Sequence, residues 1–370
     1  MSVPSPIVLT MTGDKRISIF SFFSGIGLLD LGFEEEGFEV CYVNEFHLPF
    51  LKAYEYSRVK LNKSLPKYGL DNRSIEDLMQ KNALNKLKSA IESERSLGHK
   101  VMFIGGPPCP DFSVGGKNKG ADGENGRLTS TYFKLIKKVK PDIFLFENVR
   151  GLFRTQKHRN FFDSEVKSLN IDGYKVKYDL FNSIQFGVGQ DRFRLICLGI
   201  LEGSINESSF NSFDLNNQAK YDHNLILKSN SEKNTLTLFK NEIPVELTVE
   251  YWFNKNKVES HPNSKHFFTP RAGLTKFKTV LEGDASKKSF KRLHRKQYSP
   301  TAAYGNNEVH IHPFEPRRIS AAEALSIQSA PKNFYLPEDM TLTNMFKSIG
   351  NAVPFLMAKA IAKECKKLLS

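Results

Sequence analysis

Cysteine is scarce in this 370-residue chain: Cys41, Cys109, Cys197 and Cys365 lie far apart, and none belongs to a C-x-x-C pair. That spacing argues against a disulfide framework and a zinc knuckle, and it suits a reducing compartment. Long apolar runs are missing too. No stretch holds eighteen apolar residues in succession, and the opening MSVPSPIVLTMTGDKR is too short and too polar for a signal peptide or anchor. The expected place is the cytoplasm, with no membrane partner. Acidic residues are the minority charge, 40 against 53 Lys and Arg, and the net +13 suits a polyanionic partner. Repeats and low-complexity tracts are absent. What is present, 40% hydrophobic and 12% aromatic residues, is enough for a full core and two domains, and it excludes long disorder, collagen and coiled coil.

From Arg16 to about Gly199, short apolar runs alternate with helical patterns, the rhythm of an α/β parallel sheet with helices on its faces. Strands are expected at 17–22, 39–43, 101–104, 143–146 and 195–198, and helices at 28–36, 49–56, 75–90 and 131–138. The apolar runs are continuous rather than alternating, so both sheet faces should be covered. Beyond Gly199 the composition shifts to Asn, Ser, Lys and Thr, with strand-like pieces such as 245–252, and a second domain begins. A helical pattern returns in ISAAEALSIQ, and the chain closes on an amphipathic helix over 353–369.

The segment FSFFSGIGLLDLGF reads as strand, tight turn and helix, because Gly25 and Gly27 lack the Cβ that would keep a ligand from the backbone. A lone G-x-G turn is more often structural. Here Glu45 follows about twenty positions on, at the end of the next strand, where an open α/β sheet places a carboxylate for a ribose hydroxyl pair. Phe46 follows it as a surface on which adenine can stack. The third glycine of G-x-G-x-x-G is replaced by Asp30, which favours a nucleoside cofactor without phosphates, although both NAD and S-adenosylmethionine stay open at this point.

Further along, IGGPPCPDFS holds Cys109 in a frame of prolines after an apolar strand, a setting that suits a nucleophile kept in one pose better than an inert thiol. FLFENV places Glu147 after the next apolar run, where a buried carboxylate is costly unless it is paired or functional. GQDRFRLICLG sets Gln190, Arg192 and Arg194 in phase on one side of a strand.

In this order, FSGIG, PPC, ENV, Q-x-R-x-R and the late SIGNAVPFLMAKAIA, the chain resembles the cytosine-5 DNA methyltransferase family along nearly its whole length, in the form found in prokaryotic restriction-modification. The resemblance implies a Rossmann-like S-adenosylmethionine-dependent sheet with a second, smaller target-recognition domain: 1–200 for catalysis and cofactor, completed by 342–370, and 201–341 for the target. It implies Cys109 as nucleophile, Glu147 as acid, Arg194 on the base carbonyl and Arg192 supporting the site. Cofactor contacts are expected from Phe23, Ser24, Gly25, Ile26, Gly27, Glu45, Phe46, Ile75, Pro107, Leu128, Asn351 and Ala352. Duplex DNA with a flipped cytosine is the implied substrate, and a cognate restriction endonuclease the expected genetic neighbour. An RNA cytosine-5 methyltransferase on the same fold is the alternative, and the long second region favours DNA.

The chain departs from the family pattern at Pro110 (commonly Gln), Gly189 (commonly Pro), Leu28 (commonly Gly) and Ser21 (commonly Asp). The family's adenine-contacting Asp has no single counterpart in the region after Glu45, where Asp71, Ser74 and Asp77 are all near its place. A basic run, Arg271, Lys276, Lys278, Lys287, Lys288, Lys291, Arg292, Arg295 and Lys296, is expected to meet phosphates. His310 and His312 lack a further ligand at metal spacing, so no metal is expected.

Overall fold

Seven strands form one sheet in the order β3-β2-β1-β4-β5-β7-β6. They are β1 (Ile17–Phe22), β2 (Glu39–Asn44), β3 (Leu70–Asp71), β4 (Lys100–Gly105), β5 (Ile143–Val149), β6 (Tyr174–Asn182) and β7 (Phe193–Leu201). The structure is a computed structural model describing residues 16–108, 124–231, 243–270, 273–287, 289–302, 304 and 308–369. β1 to β5 pair in parallel, and β7 runs antiparallel between β5 and β6. This is the Rossmann-like α/β sheet of the expected class.

Both faces are buried, as the continuous apolar strands require. Ile17 and Ile19 of β1 join one core with Phe33, Met357 and Ile361, while Phe20 and Phe22 join the opposite core with Leu87, Phe133 and Phe162. The helix Leu28–Glu35 and the C-terminal helix Phe355–Lys366 approach at Gly32, where an added Cβ would stand 2.5 Å from Ala358 Cβ. A third core joins Ile26, Leu31 and Phe50 to Phe253, Leu325 and Ile349, so the second region packs directly behind the FSGIG turn.

Several expected elements differ in detail. The 245–252 piece is helical, a 3-10 turn Val245–Leu247 and then Val249–Asn256, because Thr248 Oγ1 caps the helix by accepting from the Tyr251 amide at 3.3 Å. Val249, Trp252, Phe253 and Asn256 are its buried positions, a helical spacing rather than an alternation. The 75–90 helix divides into Ile75–Leu78 and Lys81–Ser96, and the closing helix begins only after Pro354. β6 escapes a search for apolar runs because it is an edge strand bearing Lys175, Lys177 and Asp179.

Candidate active site

The cofactor turn lies at the carboxyl end of β1. Gly25 and Gly27 take φ of 59° and 79°, the left-handed region that glycine tolerates. Beside Gly25 the space is open, whereas a Cβ on Gly27 would meet the Tyr54 ring at 2.4 Å. Glu45, at the end of β2, binds the turn with both oxygens: the Gly25 amide donates to Oε2 at 2.8 Å and the His47 amide to Oε1 at 2.7 Å. Burial pushes its carboxyl up, and those two amides restrain the rise. Phe46 is 67% exposed just beyond, while Ile75 is buried below. The Ser24 hydroxyl is shielded from solvent without a partner among the described residues.

A buried charge network underpins this turn. Arg58 donates to the Gly27 carbonyl at 2.8 Å, pairs with Glu34 at 3.1 Å and lies over the Tyr54 ring. Ser21, which departs from the family pattern, donates to Asp30, the residue that stands in place of the third glycine of G-x-G-x-x-G, at 2.8 Å. Burial raises the Asp30 carboxyl to about 6, against the pull of Arg58. Of the three candidates for adenine, Asp71 is held by Tyr42 and Arg73, while Ser74 and Asp77 cap one helix together.

The reacting edge is built by β4, β5 and β7. In the antiparallel register Glu147 opposes Ile196 and Val149 opposes Arg194, so Glu147 and Arg194 are diagonal neighbours on one face. Arg194 Nε stands 2.7 Å from Glu147 Oε1, and both side chains are buried. Burial drives the Glu147 carboxyl above its ordinary range, and the Arg194 and Arg192 guanidiniums pull it back down. The carboxylate also closes on the turn leaving β4: a Cβ on Gly106 would lie 2.7 Å from Glu147 Oε2. Asn148 donates to the Pro107 carbonyl at 3.3 Å. The turn held by these contacts leads to Cys109, which lies outside the described residues, as does Pro110.

Arg192 is fully buried and faces backbone oxygens, donating to the carbonyls of Ala302 (2.8 Å), Gly350 (2.6 Å) and Ala352 (3.1 Å). Through it the residue entering β7, the second region and the GNAVP segment meet at one guanidinium. Gln190 Oε1 accepts from the Ala302 amide at 3.1 Å, and Ser299 bridges to Gly189 and Asp191. Gly189 stands where a Cβ would meet the Trp252 ring at 2.6 Å, which accounts for the missing proline side chain at that position. Asn351 is exposed and Ala352 half-buried beside this junction, and Leu128 is half-buried against the second core.

The basic run behaves differently from its expectation. Arg292 is buried and donates to the carbonyls of Val280, His312, Glu315 and Phe277, so it stitches the loop rather than facing a phosphate. Arg295 pairs with Glu282 at 2.9 Å. Lys276, Lys278, Lys287 and Lys296 are exposed, whereas Arg271 and Lys288 lie outside the described residues. His310 and His312 are buried, and no cluster of metal-ligating side chains occurs among the described residues.

Sequence reasoning missed Arg58, Tyr54, Trp252 and Ala302. Only Trp252, the single tryptophan of the chain, carried a signal in the sequence.

The family model for C-5 cytosine-specific DNA methylase matches residues 17–367. The chain belongs to that family. Membership of the C-5 cytosine-specific DNA methylases assigns the activity, methylation of cytosine at carbon 5 in DNA. The chain is similar to the Type II methyltransferase M.NmeDI of Neisseria meningitidis serogroup C, at 53% identity over 96% of this chain and 84% of the relative. M.MthTI of Methanothermobacter thermautotrophicus is 28% identical over 95% of this chain and 98% of its own length. Among solved structures, a prophage-encoded protein of E. coli assigned to the DNA modification methyltransferases shares the fold, with a TM-score of 0.66 and 20% identity over 96% and 99% of the two chains. Spodoptera frugiperda DNMT2 does so at 0.57 and 15%, over 96% and 100%.

Proposed function

We propose that this DNA cytosine-5 methyltransferase takes its methyl group from S-adenosylmethionine, acts on a cytosine flipped out of a specific duplex sequence, and protects DNA in a Type II restriction-modification system. The observation that carries the reading is the buried Glu147–Arg194 pair closed over the Gly106–Pro107 turn, with Cys109 two residues beyond Pro107. A cognate endonuclease is the implied genetic neighbour, and the cytoplasm the implied place; no helix among the described residues is long and apolar enough to cross a membrane. The division into 1–200 with 342–370 and 201–341 is the domain reading we adopt.

The cofactor turn fits a nucleoside sulfonium. Open space beside Gly25, the unpartnered Ser24 hydroxyl, the Glu45 carboxylate and the exposed Phe46 ring supply polar and aromatic groups. Phe23 to Gly27, Glu45, Phe46, Ile75, Pro107, Leu128, Asn351 and Ala352 are the residues we assign to it. S-adenosylmethionine, when bound, supplies an electrophilic methyl group on a positively charged sulfur.

Carbon 5 of cytosine is a poor nucleophile, and the chain's residues change that. The Cys109 thiolate bonds to carbon 6, which shifts the ring electrons toward carbon 5. Glu147 holds a proton at ring nitrogen 3, a task for which its raised affinity for protons suits it. Arg194 fixes Glu147 and faces the base carbonyl, while Arg192, through its three backbone carbonyls, positions the strand bearing Arg194. Once carbon 5 carries the methyl group, loss of its proton to a base and cleavage of the bond between the Cys109 sulfur and carbon 6 restore the thiolate and the aromatic ring. Bisulfite sequencing of DNA from cells expressing the protein tests the reading: protected cytosines in one sequence context support it, and fully converted DNA overturns it.

A further inference from the structure

The segment from 148 to 162, NVRGLFRTQKHRNFF, carries four Lys or Arg residues and no Asp or Glu. It leaves the carboxyl end of β5 immediately after Glu147, through the short helix Arg150–Arg154. Of its arginines, Arg159 is engaged: it pairs with Asp163 at 2.8 Å and covers the Phe153 ring. Arg150 and Arg154 have no carboxylate within ion-pair distance among the described residues. Asp191 is an acid whose field reaches Arg150, and its Oδ1 accepts from Asn182 at 2.7 Å.

Arg150 is nonetheless held in place. Its guanidinium lies 5.0 Å over the Phe193 ring, which sits between Arg192 and Arg194 in the chain, so this cation is fixed against the strand that bears the base-binding arginine. Arg154 is exposed one turn on, and its charge together with burial makes the cationic form of Arg150 less favourable. Two neighbouring guanidiniums with no intervening acid are relieved by an anion. Several arginines of the second region are already paired or buried on carbonyls, which moves available guanidinium charge to this edge.

Resting on the DNA methyltransferase reading, we propose that Arg150 and Arg154 form a phosphate-binding surface for the DNA strand that carries the target cytosine. The partner is a duplex backbone, and the contacts carry no sequence preference. They fix the strand at the mouth of the pocket, next to the side chains that receive the flipped base.

The test is salt titration of binding to a fluorescent random-sequence duplex, with S-adenosylhomocysteine present, for wild type, R150Q/R154Q and R150K/R154K. Two lost phosphate contacts flatten the slope of log K against log salt by about 1.8, which is about 30-fold weaker binding at about 0.15 M salt if the difference vanishes near 1 M. The Lys variant should keep the wild-type slope. A Gln variant with unchanged slope and affinity overturns the proposal. A Lys variant as weak as the Gln variant, or loss of S-adenosylhomocysteine binding by calorimetry together with loss of DNA binding, gives the two side chains a structural role and overturns it also. Wild type that neither binds duplex nor makes 5-methylcytosine would instead overturn the functional reading on which the proposal stands.

Discussion

Replacing Arg192 separates a clamp from a base-contacting group. Its guanidinium is fully buried and its donors meet the carbonyls of Ala302, Gly350 and Ala352 at 2.8, 2.6 and 3.1 Å. Arg192→Met keeps the apolar length of the side chain but leaves those three carbonyls without their donor. Hydrogen bonds to a charged group contribute about 1.5 to 3 kcal/mol each, and breaking a buried charged network typically costs about 3 to 5 kcal/mol in all, because the terms are not additive. Apolar burial of the Met offsets only part, so a loss of about 3 to 4 kcal/mol is expected, a large share of the 5 to 15 kcal/mol typical of folded proteins. Arg192→Lys, with one ammonium for three carbonyls, should lose about half as much. Urea unfolding followed by circular dichroism measures both. Turnover assayed where the variant is still folded should fall with the stability. A variant within about 1 kcal/mol of wild type that has nonetheless lost turnover would refute the clamp and place Arg192 on the substrate.

Asp30→Asn tests the charge network below the cofactor turn. Because burial raises Asp30 from 3.8 to about 6, the native state binds the proton more tightly than the unfolded chain, so its contribution is complete below pH 4 and is lost as pH rises through 6. The stability of the Asn variant relative to wild type should therefore rise by about 2.4 kcal/mol between pH 4 and 7, and parallel curves in urea titrations would contradict this. Glu147→Gln keeps the shape but removes the titratable proton, and should lower turnover by about two to four orders of magnitude; unchanged turnover would put the acid elsewhere. Gly106→Ala drives a methyl to 2.7 Å from Glu147 Oε2, so turnover should fall at least about tenfold while S-adenosylhomocysteine affinity measured by calorimetry holds. A fully active Ala variant would show that the carboxylate can move aside without consequence.

The sheet was legible because its parallel strands are apolar on both faces, and β1 is found at the same bounds from sequence and structure, Ile17–Phe22. β6 was not, since an edge strand is free to carry Lys175 and Lys177. The spacing of Glu147 and Arg194 said nothing of their pairing, which arises from the register of β5 against β7, a contact between segments about 47 residues apart. The Arg292 expectation failed for a related reason. Charge in a run reads as surface, but a guanidinium with five donors also serves to satisfy carbonyls of a loop that has no sheet or helix to do so. Thr248 is a local signal that outweighed the β-branched and aromatic look of 245–252.

The central claim is that a thiolate two residues beyond Pro107 attacks a cytosine held by Glu147 and Arg194. The most direct measurement incubates the protein with S-adenosylmethionine and genomic-sequence duplexes in which cytosine is replaced by 5-fluorocytosine. Fluorine cannot leave carbon 5 as a proton does, so the carbon–sulfur bond has no route to break after methylation. A denaturation-resistant protein–DNA adduct should accumulate, mass spectrometry should place it on the peptide containing Cys109, and Cys109→Ala should abolish it. No adduct on DNA that the protein demonstrably methylates when unsubstituted, or an adduct mapped to Cys41, Cys197 or Cys365, would contradict the account.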